Sequence, residues 1–239
     1  MIPWSFCKES QVPMASQNLP SAAPGTVHGM LFVAADVDAD DEADFNQWYD
    51  REHVEERVRI DGFLSGARYV SRQGGRKYLG LYRTQSLAAF TSDAYRAAFG
   101  RQTPWSVTNL GRMRDPMRRV CAVEAVTGFG AGSHLSVLAL PPADDRAALV
   151  ARAVQAGTQL AQVPGFVQSY LLVPDPVLST PLPTERTEGR VLQPLMVVET
   201  GHADAHREAL ARAGALLQAD AVAAAQYTLG WKLTRADLA

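Results

Sequence analysis

The chain has 239 residues, 47% of them hydrophobic and 20% charged, which is enough to bury the core of one large domain or two small ones and excludes a wholly disordered chain. Its 23 Lys and Arg against 25 Asp and Glu give a formal charge of −2, which argues against a strongly basic nucleic-acid binder. Two cysteines, Cys7 and Cys121, are too few for a disulfide framework and read as reduced thiols of a cytoplasmic protein, and no apolar run reaches the roughly 18 residues of a membrane span.

The first 26 residues hold Pro3, Pro13, Pro20 and Pro24 but no basic segment followed by a long apolar one, and are expected to be a flexible extension rather than a secretory signal. From there, β-branched and aromatic runs bounded by Gly or Pro predict strands at 29–37, 63–71, 76–83 and 118–126. Apolar spacing with a period of 3.6 predicts helices at 41–60 and 87–99. A glycine-rich stretch at 128–133 reads as a short flexible hinge. Beyond it the order repeats, with strands at 134–140, 166–173, 195–200 and 221–233 and helices at 144–162 and 203–219. The connection 174–194 is long and rich in Pro, Thr and charge, and reads as either a lid or a surface excursion.

Each half therefore spells βαββαβ, with Gly62-Phe63 matched by Gly165-Phe166, so residues 27–127 and 134–239 are expected to form two ferredoxin-like units. Helices cover one face of each sheet, and the bare faces can close on each other. The expected fold is α+β, an intramolecular pseudo-symmetric barrel in which strands 63–71 and 166–173 are related by a pseudo-twofold axis. A homodimer, if formed, would use outer surfaces.

The chemistry concentrates in the first half. On an α-helix, Phe45, Trp48, Tyr49, Glu52, His53, Glu56 and Ile60 share one side, an apolar stripe ending in an imidazole and two carboxylates. His53 could act as a general acid/base tuned by Glu52 or Asp50, or it could make one structural hydrogen bond. The matching helix of the second half has no His, Trp or Tyr, which implies one working site per chain. In the next strand, Tyr78, Gly80 and Tyr82 alternate with Leu79 and Leu81. The leucines are expected against the helices and the tyrosines toward the barrel interior, joined there by Tyr227, Leu229 and Trp231. Arg68 could bind a substrate carboxylate or a structural acid, and Trp105 could plug the barrel mouth or pack on the helix after Leu87. The arginines between Arg101 and Arg119 read as a solvated surface. His202 and His206 read as an exposed helix start rather than a metal chelate, and no metal site is expected, with Glu52, His53 and Glu56 the remote exception.

Taken together, Trp48-Tyr49-Asp50-Arg51-Glu52-His53, Gly62-Phe63, Arg68-Tyr69 and Thr103-Pro104-Trp105-Ser106 resemble the dimeric α+β-barrel superfamily in tandem form, and its EthD-like members most. The resemblance does not choose among monooxygenases, isomerases, cyclases and haem-handling enzymes; the single Trp-Tyr-Asp-x-x-His helix points to an enzyme without an organic cofactor that takes a hydrophobic or aromatic oxygenated small molecule into the barrel, with neither nucleic acid nor membrane as partner. His53 and Tyr49 would be catalytic, and Trp48, Arg68, Tyr78, Tyr82, Trp105, Tyr227 and Trp231 would contact substrate. Lyase, isomerase or cyclase chemistry fits best, because an imidazole and phenols move protons and carry no electrons. The alternatives are a non-catalytic binding or structural barrel, a cofactor-free monooxygenase, and, from the resemblance alone, a haem-binding member with His53 or His134 as axial ligand.

Overall fold

The computed structural model describes residues 27–238; the expected N-terminal extension, with Cys7, lies outside the described residues. The first half runs β1 (Gly29–Asp36), α1 (Glu42–Trp48), a π turn (Tyr49–His53), α2 (Val54–Val58), β2 (Phe63–Gln73), β3 (Tyr78–Thr84), a 3-10 turn (Leu87–Thr91), α3 (Asp93–Gly100), α4 (Pro104–Gly111) and β4 (Arg114–Gly128). The second runs β5 (His134–Ala139), α5 (Arg146–Leu160), β6 (Phe166–Pro174), β7 (Leu195–Thr200), α6 (Ala203–Leu217), β8 (Ala225–Thr234) and a closing 3-10 turn (Arg235–Leu238). The predicted strands all occur. Two helical expectations change: the helix over 41–60 is interrupted by the π turn, and the segment after Leu87 divides. Ser92 accepts from the Tyr95 N–H to cap α3, and Thr103 accepts from the Ser106 N–H to cap α4, which opens on Pro104.

The eight strands close into one antiparallel barrel in the order β1-β3-β2-β8-β5-β7-β6-β4. Each half supplies four neighbouring strands, and the seams are β2 against β8 and β4 against β6. β2 and β6 hold matching places in the repeat and both sit at a seam, as the expected pseudo-twofold requires. The repeat extends to the backbone. Gly62 and Gly165 have φ of +88° and +86°, a left-handed conformation that only glycine adopts freely. The segment between β4 and β5 is not a free hinge, because the Gly132 N–H donates to Glu199 Oε2 at 2.8 Å and the Gln168 side chain donates to the Gly130 carbonyl.

A closed barrel buries both faces of its strands, one inside and one beneath the helices. The interior is filled by Phe32, Leu79, Leu81, Leu135, Leu172 and Val197 among others, with Cys121 and Tyr227. Tyr78 and Tyr82 pack on the other face, against Phe45, Trp48 and Tyr49. The expected orientation of β3 is thus reversed: leucines fill the barrel and tyrosines meet the helices. β8 departs from expectation as well. Arg68 pairs with Trp231 and Tyr69 with Leu229, so the strand bulges at Gly230. Tyr227 and Leu229 stay inside while Trp231 joins the helical side. Within the barrel mouth beside Glu199 and Tyr170 there is a void of about 30 Å³, room for about one water. The barrel interior is therefore packed and does not hold the expected substrate. No helix among the described residues is long and apolar enough to cross a membrane.

Candidate active site

A cleft of about 670 Å³ lies outside the barrel, between the first half's sheet and its helices. Leu31, Val33 and Tyr82 form the floor, His53 and Arg57 one wall, and Phe90, Tyr95, Phe99 and Met113 the opposite side. Residues 180–184, from the second half, close the mouth. The equivalent space in the second half is filled: Ala153 and Ala156 of α5 and Ala209 and Ala213 of α6 are buried and let those helices sit tightly on the sheet.

The π turn creates the wall that carries His53. Side chains five residues apart diverge by roughly 140° on an α-helix but align where hydrogen bonds run from i to i+5. Trp48 and His53 accordingly stack, with centroids 4.3 Å apart and planes tilted by 35°. The Trp48 Nε1–H donates to Ser106 Oγ at 3.0 Å, and Ser106 and Thr103 both bond Glu52 Oε1, at 3.0 and 2.5 Å. The Thr-Pro-Trp-Ser segment is therefore the clamp that α4 places on the π turn. Burial together with Glu52 raises the Glu56 carboxyl above its ordinary range.

His53 is 7% exposed and its Nδ1 has no hydrogen-bond partner among the described residues. Burial, reinforced by the charges of Arg57 and Arg68, pushes its pKa well below 6.5, so the imidazole is neutral. Those arginines, rather than Glu52 or Asp50, are the charges that tune it. An axial haem ligand ordinarily donates its second ring N–H to an acceptor. His53 Nδ1 has none among the described residues, and His134 stands on β5 beside His206, away from the cleft. Among the described residues no group of three or more His, Cys, Asp or Glu is arranged to hold a metal ion.

Of the other expected site residues, Tyr82 lines the cleft and donates to the Tyr49 hydroxyl at 3.1 Å. Burial raises both phenols, so both stay protonated. Tyr49 stands behind Tyr82 with its oxygen over Gly80, where a Cβ would come within 2.3 Å. Arg68 is engaged by Asp50 at 2.6 Å and by Asn46, with its guanidinium over the rings of Tyr49 and Tyr78, which leaves a structural acid rather than a substrate as its partner. Trp231 also donates to Asp50, at 2.8 Å, and the Tyr78 hydroxyl donates to Glu42. Trp105 donates to Asp44 of α1 at 3.0 Å and packs on the core cluster outside the barrel, which includes Phe45, Trp48 and Phe90, so it does not plug the barrel. Arg68, Tyr78, Trp105, Tyr227 and Trp231 thus do not line the cleft.

The cleft also contains residues that the sequence reading did not select. Arg57 is 4% exposed, lies over the Phe99 ring at 4.8 Å and has no partner for Nη1 among the described residues. Arg118 and Arg119, each 7% exposed, are buried rather than solvated. Arg118 donates to the Tyr95 hydroxyl at 3.1 Å and to the carbonyls of Leu178 and Thr180 at 2.8 and 3.0 Å. Glu185 receives Arg119 at 2.5 Å and Arg190 at 2.7 Å, and Ser179 bonds the Val120 backbone through both its donor and acceptor. The connection 174–194 is therefore an ordered strap anchored on β4. The two α6 histidines separate: His202 caps the helix, while His206 is buried against Ser136 and Thr200, with burial lowering its pKa to about 4. Cys121 is a free thiol in the barrel, pushed up to about 12 by burial.

No family model matches the chain, and no curated protein matches its sequence. Among solved structures it is similar to a proposed monooxygenase from Fusobacterium nucleatum subsp. nucleatum, at 8% identity over 88% of this chain and 95% of that one, with a TM-score of 0.56. It is also similar to an anthrone oxidase-like protein, at 10% identity over 90% and 96% with a TM-score of 0.56, and to a proposed chlorite dismutase, at 9% over 89% and 98% with a TM-score of 0.51. At these identities the likeness is one of fold, the α+β barrel of ferredoxin-like halves.

Proposed function

We propose that the chain is a small enzyme that moves a proton on a hydrophobic or aromatic oxygenated substrate held in the cleft beneath the first half's helices, with His53 as general base. One observation carries the reading: a neutral, nine-tenths buried imidazole lines an otherwise largely apolar cleft. A base that stays unprotonated through the neutral range can take a proton from an O–H, or from a C–H acidified by a carbonyl, and return it elsewhere. Trp48 and the π turn fix the ring, Tyr82 offers a hydroxyl beside it, and Tyr49 orients Tyr82. Lyase, isomerase or cyclase chemistry requires no more than this. The motif around His53 makes EthD-like proteins the relatives we favour, and each chain works alone because both halves of the barrel are covalently joined.

The anthrone oxidase-like neighbour favours a second reading with the same first step. Loss of a C10 proton turns an anthrone into its enolate, which gives electrons to O2. The balanced outcome is anthrone plus O2 to anthraquinone plus water.

Anthrone itself tests both readings. Deuterium uptake at C10 in oxygen-free D2O reports proton transfer, and anthraquinone formation in air reports oxygenation. Exchange above the buffer rate is expected, reduced by about 10²- to 10⁴-fold in a folded His53→Gln variant. Equal exchange by wild type and variant contradicts the role of His53.

A further inference from the structure

We propose that the cleft is built for an organic anion, an aromatic carboxylate whose acid group is received by Arg57. The inference rests on the reading above and names the substrate class of that site. Arg57 is 96% buried, yet Nη1 has no partner and the guanidinium forms no ion pair among the described residues. Glu56 lies within the field of Arg57 but makes no direct contact with it, and a buried cation with no ion-pair contact is costly, a cost that binding of a carboxylate lowers. The Phe99 ring supports the guanidinium at 4.8 Å and leaves that nitrogen free.

Nearby acids are committed elsewhere. Glu56, beside Arg57 in sequence, is within 3.4 Å of Ser106 Oγ, and Glu52 is bound by Thr103 and Ser106. Glu185 on the strap receives Arg119, Arg190 and the Arg118 main-chain N–H. Among the described residues no Asp or Glu lines the cleft, while Arg57, Arg96 and Arg118 do, and of these three Arg96 alone forms an ion pair, with Asp93 at the surface. Arg118 spends its donors on uncharged oxygens. In a chain of net charge −2, this wall is positive and its low-dielectric surroundings focus the field. One unpartnered guanidinium nitrogen, Nη1, matches a carboxylate of single charge, and the apolar walls of Leu31, Phe90, Met113 and Leu182 match a ring system. Arg57 lies one helical turn beyond His53, so an acid on Arg57 brings a neighbouring carbon or hydroxyl toward the imidazole.

The test compares 3-hydroxy-2-naphthoate with its uncharged amide by calorimetry on the full chain at pH 7.5. The acid is expected to bind at least about tenfold more tightly. Arg57→Gln should bring the ratio near one without weakening the amide, Arg57→Lys should keep most of the preference, and His53→Gln should keep all of it. Equal binding of acid and amide to wild type, binding of neither, or an acid preference that survives in Arg57→Gln overturns the proposal. If Arg57→Gln does not fold, the comparison in wild type and Arg57→Lys decides. Absence of an acid preference leaves the His53 exchange result standing, and an inert His53 leaves the anion site standing, so the two failures are distinguishable.

Discussion

Trp48 and His53 lie five residues apart in the chain and stack with ring centroids 4.3 Å apart, a contact that exists because the helix widens to a π turn between them. The indole is also the link to α4, since its N–H donates to Ser106 and Ser106 bonds Glu52. The base of the site is thus positioned from a second helix.

Trp48→Phe keeps an aromatic ring but removes that donor. Leaving buried Ser106 short of a partner is expected to cost about 1–3 kcal/mol in denaturant unfolding. A loss below about 0.5 kcal/mol, the range of neutral surface changes, would show that the indole does not hold the turn.

Gly80 and Tyr49 are expected to be coupled. A Cβ at Gly80 would stand 2.3 Å from the Tyr49 oxygen and 3.4 Å from its Cζ, so the clash is with the hydroxyl. Gly80→Ala alone should cost about 1–3 kcal/mol through overpacking. In a Tyr49→Phe background most of that cost should vanish, giving a coupling of at least about 1 kcal/mol in a double-mutant cycle. Additive effects would mean that the strand moves instead.

The architecture was readable from the sequence because the two halves repeat the same order of strands and helices. Which face of β3 looks inward was not. All of Tyr78 to Tyr82 is buried, since a barrel strand under helices has no solvent side to break the tie. The motif identified His53, but a period of 3.6 has no way to register a π turn, so the Trp48 contact was hidden. Arg118 and Arg119 looked like surface charge because the strap that buries them, with Glu185 at its anchor, lies more than sixty residues further along. Arg57 is hidden in the sequence for a related reason: on a helical wheel it is one more arginine in a charged stretch, and only burial without a partner among the described residues distinguishes it.

The strap should depend on Glu185. Glu185→Gln leaves Arg119 and Arg190 without their shared acid, and breaking such a buried pair typically costs about 3–5 kcal/mol. Amide exchange in residues 178–190 should rise well above that of the barrel strands. Unchanged exchange would show that Ser179 and the Arg118 contacts hold the strap unaided.

Buried His53 carries a pH signature. Burial first, then Arg57 and Arg68, places its folded pKa well below the unfolded value of about 6.5, so below that pH the unfolded chain binds the extra proton. The corresponding stability is present above about pH 6.5 and is lost as the pH falls toward the folded pKa, by up to about 1.4 kcal/mol per pH unit. His206 and the raised carboxyls of Glu56 and Glu199 also titrate in acid, so the measured quantity is wild type minus His53→Gln. That difference should fall as the pH drops from 6.5 to 5. A flat difference would place His53 in contact with water.

Where the substrate sits can be read from methionine methyl groups. Met113 lines the cleft, Met30 is inside the barrel, and Met196 is in the core between the second half's sheet and helices. Titrating methyl-labelled protein with 3-hydroxy-2-naphthoate should shift the Met113 resonance and leave Met30 and Met196 in place. A shift at Met30 with Met113 unmoved would put the ligand inside the barrel and contradict the site proposed for His53 and Arg57.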